Sequence, residues 1–176
     1  SGHLRFGTSH HIGLHRLPPV LRSFVRAHPE VQLDIRFMDS ETACRAVLAG
    51  ELQLAIVTLP PEQDAGRLSL TPVWQDPLVF AVGPEHALAA LERPTLADIA
   101  QWSAVLPSGA TYTRRILEQA MADRDLTLNV SMSTNYLETL KMLAAIGLGW
   151  SLIPASMVDE MGAQPGDHVL EIGCGW

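Results

Sequence analysis

Apolar and polar positions change their period several times along the chain, and each change marks an element. Leu4, Arg5, Phe6 and Gly7 form a short strand that stops at the glycine, and Thr8, Ser9, His10 and His11 follow as a polar turn. Beyond it Leu17, Val20, Leu21, Phe24 and Val25 recur at helical spacing and give a one-sided apolar face. Pro18 and Pro19 suit a first helical turn, where no N–H is needed, and His28-Pro29 ends the helix. Residues 31–37 alternate with period two and predict a strand. Asp39 or Ser40 can cap a helix over 41–49, which Gly50 closes. Leu52, Leu54, Ala55, Ile56 and Val57 read as a short buried strand ending at Thr58-Leu59-Pro60-Pro61. This βαβαβ opening predicts a parallel sheet with right-handed crossovers.

The rhythm then shifts. Residues 69–74 and 78–82 read as neighbouring strands leading into Gly83-Pro84, Thr95 can cap a helix over 96–100, and 102–106 reads as a strand. Pro107-Ser108-Gly109-Ala110-Thr111 is a second polar turn, opening a helix with Ile116, Leu117, Ala120 and Met121 on its apolar face. Residues 126–132 are strand-like, Thr134 or Asn135 can cap a helix through Ala145, and Gly147 and Gly149 break it. Residues 150–154 form a final apolar strand, followed by a short helix over 155–161. The pattern predicts an α/β fold of two lobes with a cleft between them. Its expected parts are a first lobe over 1–82, a second lobe over 83–153, a short further segment over 154–163, and a tail over 164–176.

Composition narrows the function. With 47% apolar and 18% charged residues among 176, the chain folds and buries a core. A net charge of −7, with Lys141 as the sole lysine and scattered arginines, argues against a grip on a phosphate backbone. Cys44 and Cys174 stand far apart without metal-ligand spacing, which fits a reducing cytoplasm rather than a disulfide framework. There is neither a membrane-length apolar run nor a signal-peptide pattern, so a cytoplasmic protein with no membrane partner is expected. No nucleophile elbow, zinc-protease motif or converging Ser, His and acid set is present, and the expectation is a binding module rather than an enzyme. Adjacent His10 and His11 point apart and lack an accompanying carboxylate or cysteine cluster, so neither a metal nor a cofactor is expected.

Four segments together carry a family resemblance. They are the first strand and helix, Leu48-Ala49-Gly50-Glu51-Leu52-Gln53-Leu54-Ala55-Ile56, Gly83-Pro84-Glu85-His86-Ala87-Leu88-Ala89, and residues 145–154. In order and spacing they resemble the effector-binding domain of LysR-type transcriptional regulators over roughly residues 4 to 160, departing mildly at Gln53 and Ala87. The resemblance implies a two-lobed, periplasmic-binding-protein-like fold of type 2 whose inter-lobe cleft holds a small metabolite. It also implies a homo-oligomer, and DNA contact only through an N-terminal helix-turn-helix that this chain does not carry. The family's return to the first lobe after Pro154 is expected to be incomplete here.

In its place stands Gln164-Pro165-Gly166-Asp167-His168-Val169-Leu170-Glu171-Ile172-Gly173-Cys174-Gly175-Trp176. This tail resembles the first motif of S-adenosylmethionine-dependent methyltransferases of the cyclopropane-fatty-acid synthase type, in which an acidic residue ends a buried strand before a glycine-rich turn. A dozen residues cannot build that site, so the tail reads as the edge of a gene fusion, frameshift or truncation; the alternative is that 169–172 simply pairs as a strand.

The resemblance, laid over the two polar turns, implies the candidate ligand contacts. Ser9, His10 and His11 occupy the first, with Ser40 near a helix start and Thr58 at a strand's carboxyl end, where open α/β sheets bind ligands. Ser108, Gly109, Thr111 and Tyr112 form the second turn, and Asn135 follows a later strand. Hydroxyls and helix N-termini suit a small anionic metabolite. Capping alone is the competing role for Ser40, Thr111 and Asn135. Arg114 and Arg115 could reach an anion but are expected to be solvated, and Trp150 is expected in the core. A sensing domain and a free or transport-type solute-binding module of the same architecture both fit these residues.

Overall fold

β1 (Gly2–Thr8) is flanked by β2 (Val31–Phe37) and β3 (Leu54–Ile56), both parallel to it, in the order β2-β1-β3. This is the expected βαβαβ opening, in a computed structural model that describes residues 2–158 and 170–172. The chain divides into two compact units, Ser1–Pro72 and Val73–Trp176. The first also holds α1 (His10–His15), α2 (Leu17–Ala27), α3 (Ser40–Leu48) and the single turn α4 (Glu62–Ala65).

The prolines divide what the sequence suggested would be one polar turn and one helix. Ser9 takes an extended N-cap conformation, its carbonyl accepts from Gly13 N at 2.9 Å, and α1 forms in the supposed turn. Pro18 and Pro19 offer no N–H to Leu14 and His15 one turn earlier, so the run breaks at Arg16 and restarts as α2. α3 follows Asp39 at its cap and ends at Gly50, whose φ of 74° is left-handed backbone that glycine adopts freely. Residues 69–74 alternate like a strand but form none. Among the described residues no neighbouring strand offers them a ladder, and all of 69–74 lie exposed.

In the second unit β4 (Leu78–Val82) runs antiparallel to β7 (Ser151–Pro154) on one side and to β8 (Leu170–Ile172) on the other. β5 (Ala104–Leu106) pairs parallel with β6 (Val130–Ser133), and a parallel bridge between Ala104 and Trp150 joins β5 to the start of β7. This unit also contains α5 (Leu96–Ala100), α6 (Tyr112–Ala122), α7 (Leu137–Ala145) and 3-10 turns at Ala87–Ala90 and Ala155–Met157. The sequence placed 78–82 with the first lobe. The structure places it in the second unit, because its hydrogen bonds go to β7 and β8 and its side chains enter that unit's core.

Alternation along these strands sorts the second core into two layers. Phe80, Val82, Ala104, Leu106 and Leu152 face one cluster with Leu117 and Met121 of α6. The intervening Ala81, Val105 and Ile153 face another with Leu140 and Ala144 of α7. Ile116, expected on the buried face of α6, is exposed; the helix turns Tyr112, Leu117 and Met121 inward instead. Trp150 is in the core as expected, its Nε1 donating to the Trp102 carbonyl at 3.0 Å. Thr95 forms a capping box with Asp98 at the start of α5. Asp76 accepts from Ser156 N at 3.1 Å and Ser156 Oγ at 2.7 Å, fastening the second 3-10 turn beside the entry to β4.

The tail contributes Leu170–Ile172 as a strand in the second unit's sheet, not as a return to the first. The rest of the methyltransferase-like motif, and residues 159–163 of the expected return segment, lie outside the described residues.

Candidate functional site

In the first unit the carboxyl ends of three parallel strands come together, and the turn after β1 sits among them. Thr8 is fully buried; its carbonyl accepts from Met38 N at 3.0 Å, which ties the end of β1 to the end of β2. Ser9 follows at the N-cap of α1, and its side chain makes no capping hydrogen bond. Ser40 is buried as the first residue of α3 rather than its cap, and its Oγ accepts from Thr58 N at 3.2 Å. That bond joins two expected site residues, but it uses Ser40 to hold the exposed loop after β3.

His10 and His11 belong to α1. Neighbouring residues on a helix point about 100° apart, and the two rings go to different places. His10 stacks on Phe37 with centroids 5.6 Å apart and planes inclined by 29°. His11 lies 4.8 Å from the ring of His15, one helical turn on. Phe37 was missed as a neighbour of this turn. The available signal was its place as the last apolar residue of the period-two run, beside Thr8 in parallel register.

The second unit builds its turn from an interlocked set of hydrogen bonds. Ser108 N donates to Asn135 Oδ1 at 2.9 Å, Thr111 Oγ1 donates to the Ser108 carbonyl at 2.9 Å, and Arg114 N donates back to Thr111 Oγ1 at 3.3 Å. Thr111 is thus a genuine cap, and Asn135 braces the turn across a gap of 27 residues. Gly109 lies at the exposed tip, where a β-carbon would meet nothing within 4 Å. Tyr112 is buried beneath Arg115, whose guanidinium carbon is 5.8 Å from the ring centre.

Arg114 departs from its expected solvated state. Its side chain is only 14% exposed, with Nε on Glu118 at 2.8 Å and a terminal nitrogen donating to the Pro107 carbonyl at 3.0 Å. It is a brace for the turn. Chemically, then, each turn offers neutral donors: the Ser9 hydroxyl at the head of α1, and the Ser108–Thr111 turn at the head of α6. Neither presents a nucleophile paired with a base. Among the described residues, no three His, Cys, Asp or Glu side chains group to hold a metal, and no helix is long and apolar enough to cross a membrane.

Comparison with known proteins bears on both units. Residues 1–172 match the LysR substrate binding domain, so the match runs through β8 and takes in part of the methyltransferase-like tail. The HTH-type transcriptional regulator BbuR of Bordetella bronchiseptica is 30% identical over 160 residues, which cover 91% of this chain and 49% of BbuR. The chain spans about half the length of the curated relatives it matches. The regulatory domain of CcmR from Synechocystis PCC6803, solved with 2-PG, superposes with a TM-score of 0.82 at 19% identity, covering 99% of this chain and 81% of that one. The effector binding domain of QuiR, solved with shikimate, does so with a TM-score of 0.79 at 16% identity and the same coverage. These likenesses establish the periplasmic-binding-protein-like, type 2 fold. With a match that runs through nearly all of its residues, the chain belongs to the LysR substrate binding domain family.

Proposed function

We propose that this chain senses a small anionic metabolite as the effector-binding part of a LysR-type transcriptional regulator. On this reading the protein is cytoplasmic, homo-oligomeric and not an enzyme, and a helix-turn-helix outside these 176 residues contacts DNA. The observation that carries it is the family match over residues 1–172. The placement of Ser9 supports it: a serine at the end of a buried parallel strand, at a helix cap, with no capping bond of its own. Shikimate and 2-PG in the related structures are small molecules of the kind such donors suit. Ser9, His10 and His11 in the first turn, and Ser108 and Gly109 in the second, are the proposed contacts. Ser40, Thr111 and Asn135 hold the turns, with Thr58 and Tyr112 beside them.

Calorimetry against a panel of hydroxylated, aromatic and phosphorylated carboxylic acids tests the reading. At least one member should bind saturably, and Ser9→Ala should weaken it by about 1–3 kcal/mol, the loss for a buried hydrogen-bond partner. Absence of saturable binding across the panel would sink the effector reading. Sedimentation velocity tests the oligomer, which a purely monomeric chain would refute.

A further inference from the structure

The imidazoles that the fold brings together are those of His11 and His15. They stand four residues apart on α1, a spacing that places side chains on one helix face. Their ring centres are 4.8 Å apart with planes inclined by 45°. Histidine nitrogens bind zinc at roughly 2.0–2.1 Å, which sets two of them about 3.3 Å apart on a tetrahedral ion. Rings at the observed separation reach that arrangement by modest side-chain rotation, and exposed His15 gives an ion access from water.

We propose that His11 and His15 form a two-histidine chelate for a borderline transition cation such as zinc or nickel. Imidazole suits these ions, and a helical pair at this spacing is the ligand unit that zinc enzymes use on one helix face. Among the described residues no three His, Cys, Asp or Glu side chains group to hold a metal, so the proposal is of a two-histidine unit. Both ligands lie on the helix that Ser9 heads, so an ion bound only to the folded chain stabilises the element carrying the first turn. His11 is also a proposed effector contact, but α1 alone supplies the chelate and its test reads zinc rather than the effector.

The test is calorimetric titration of the untagged, chelator-washed chain with zinc chloride, together with thermal unfolding with and without zinc. Saturable binding of one ion per chain and a raised Tm are expected. His15→Ala and His11→Ala should each weaken zinc affinity about tenfold or more, the lower range for losing a supporting group at a metal site. His28→Ala should leave it unchanged, since that ring packs against Phe24 at 4.9 Å on α2. Should His11→Ala fail to fold, His15→Ala decides, because its side chain lies exposed. No saturable binding, or a His15→Ala chain that binds zinc as tightly as the wild type, overturns the chelate. Failure of the acid panel with zinc binding intact would count only against the effector reading.

Discussion

Trp150, Phe80, Leu117 and Leu152 of the second unit are all shut away from solvent, whereas Val20 and Val25 on α2 of the first unit are 47% and 51% exposed and Phe37 at the end of β2 is 49% exposed. The same α/β logic built both units, yet the first leaves more of its large apolar side chains uncovered. In the second, alternate residues of β4, β5 and β7 feed two layers, closed by α5 and α6 on one side and by α7 on the other. In the first, Phe6, Leu17, Ala43, Cys44 and Leu52 are buried, but Val20 and Val25 on the apolar face of α2 stay exposed. Helical periodicity reports that a face is apolar. How much of that face finds a partner depends on the sheet available to receive it.

The widest contrast should come from large-to-small substitution. Trp150→Ala removes a fully buried ring that packs edge-on against Phe80 at 5.5 Å and should cost about 3–5 kcal/mol. Val25→Ser in the first unit should change stability by no more than about 0.5 kcal/mol, as at other surface positions. Urea unfolding of both variants measures the difference. A large loss in Val25→Ser would mean that α2 is covered in solution, and the contrast between the units would fail.

Two glycines sharpen it further. A β-carbon at Gly149 would lie 2.6 Å from the Ser103 carbonyl oxygen, a backbone atom fixed by the pairing around β5. Gly149→Ala should therefore cost about 1–3 kcal/mol through overpacking. At Gly13 the nearest atom, at 2.5 Å, is Cε1 of Phe37, the edge of a half-exposed ring that can swing aside. Gly13 also lies inside α1, where alanine gains up to ~1 kcal/mol of helix propensity over glycine. Gly13→Ala should come out near neutral in the same unfolding assay. Equal losses at the two positions would show that the first unit is as rigidly packed as the second.

These sites also show how far the chain could be read before its fold was known. Local periodicity located most strands and helices, and Thr95 could be read as a cap because its partner lies three residues away. Wherever an outcome depended on a distant partner, the pattern was silent. Residues 69–74 alternate as a strand should, but a strand needs a neighbour, and period says nothing about one. β4 read as a continuation of the first lobe, because its allegiance to β7 is written across some seventy residues of intervening chain. In the candidate site, Thr111 could be read as a cap, since its role is local. The Asn135 to Ser108 and Ser40 to Thr58 bonds bridge 27 and 18 residues and had no local sign. The parting of His10 and His11, by contrast, was expected of adjacent residues, whereas α1 itself had been read as a polar turn.

The smallest expected effect concerns protonation, and it too belongs to the second unit. His86 caps the 3-10 turn at Ala87–Ala90; its Nδ1 accepts from Leu88 N at 3.1 Å, and its ring meets Trp102 edge-on at 5.1 Å. Burial holds its pKa below the ordinary 6.5. A protonated Nδ1 has no lone pair to offer, so the cap requires the neutral ring. Above pH 6.5 His86 is neutral folded or unfolded, and its contribution is complete. As the pH falls below that value the unfolded chain takes up the proton first. Stability then declines until the pH has passed through the lowered folded value. Asp98, held below 3.8 chiefly by the backbone N–H of Thr95, loses its contribution only in more acidic solution, so the two are separable by pH. His86→Asn should keep a side-chain acceptor at the cap while removing the titration. Urea midpoints at about pH 7.5 and about pH 5.5 should therefore fall less in the variant than in the wild type. An identical fall in both chains would leave His86 a pH-insensitive cap.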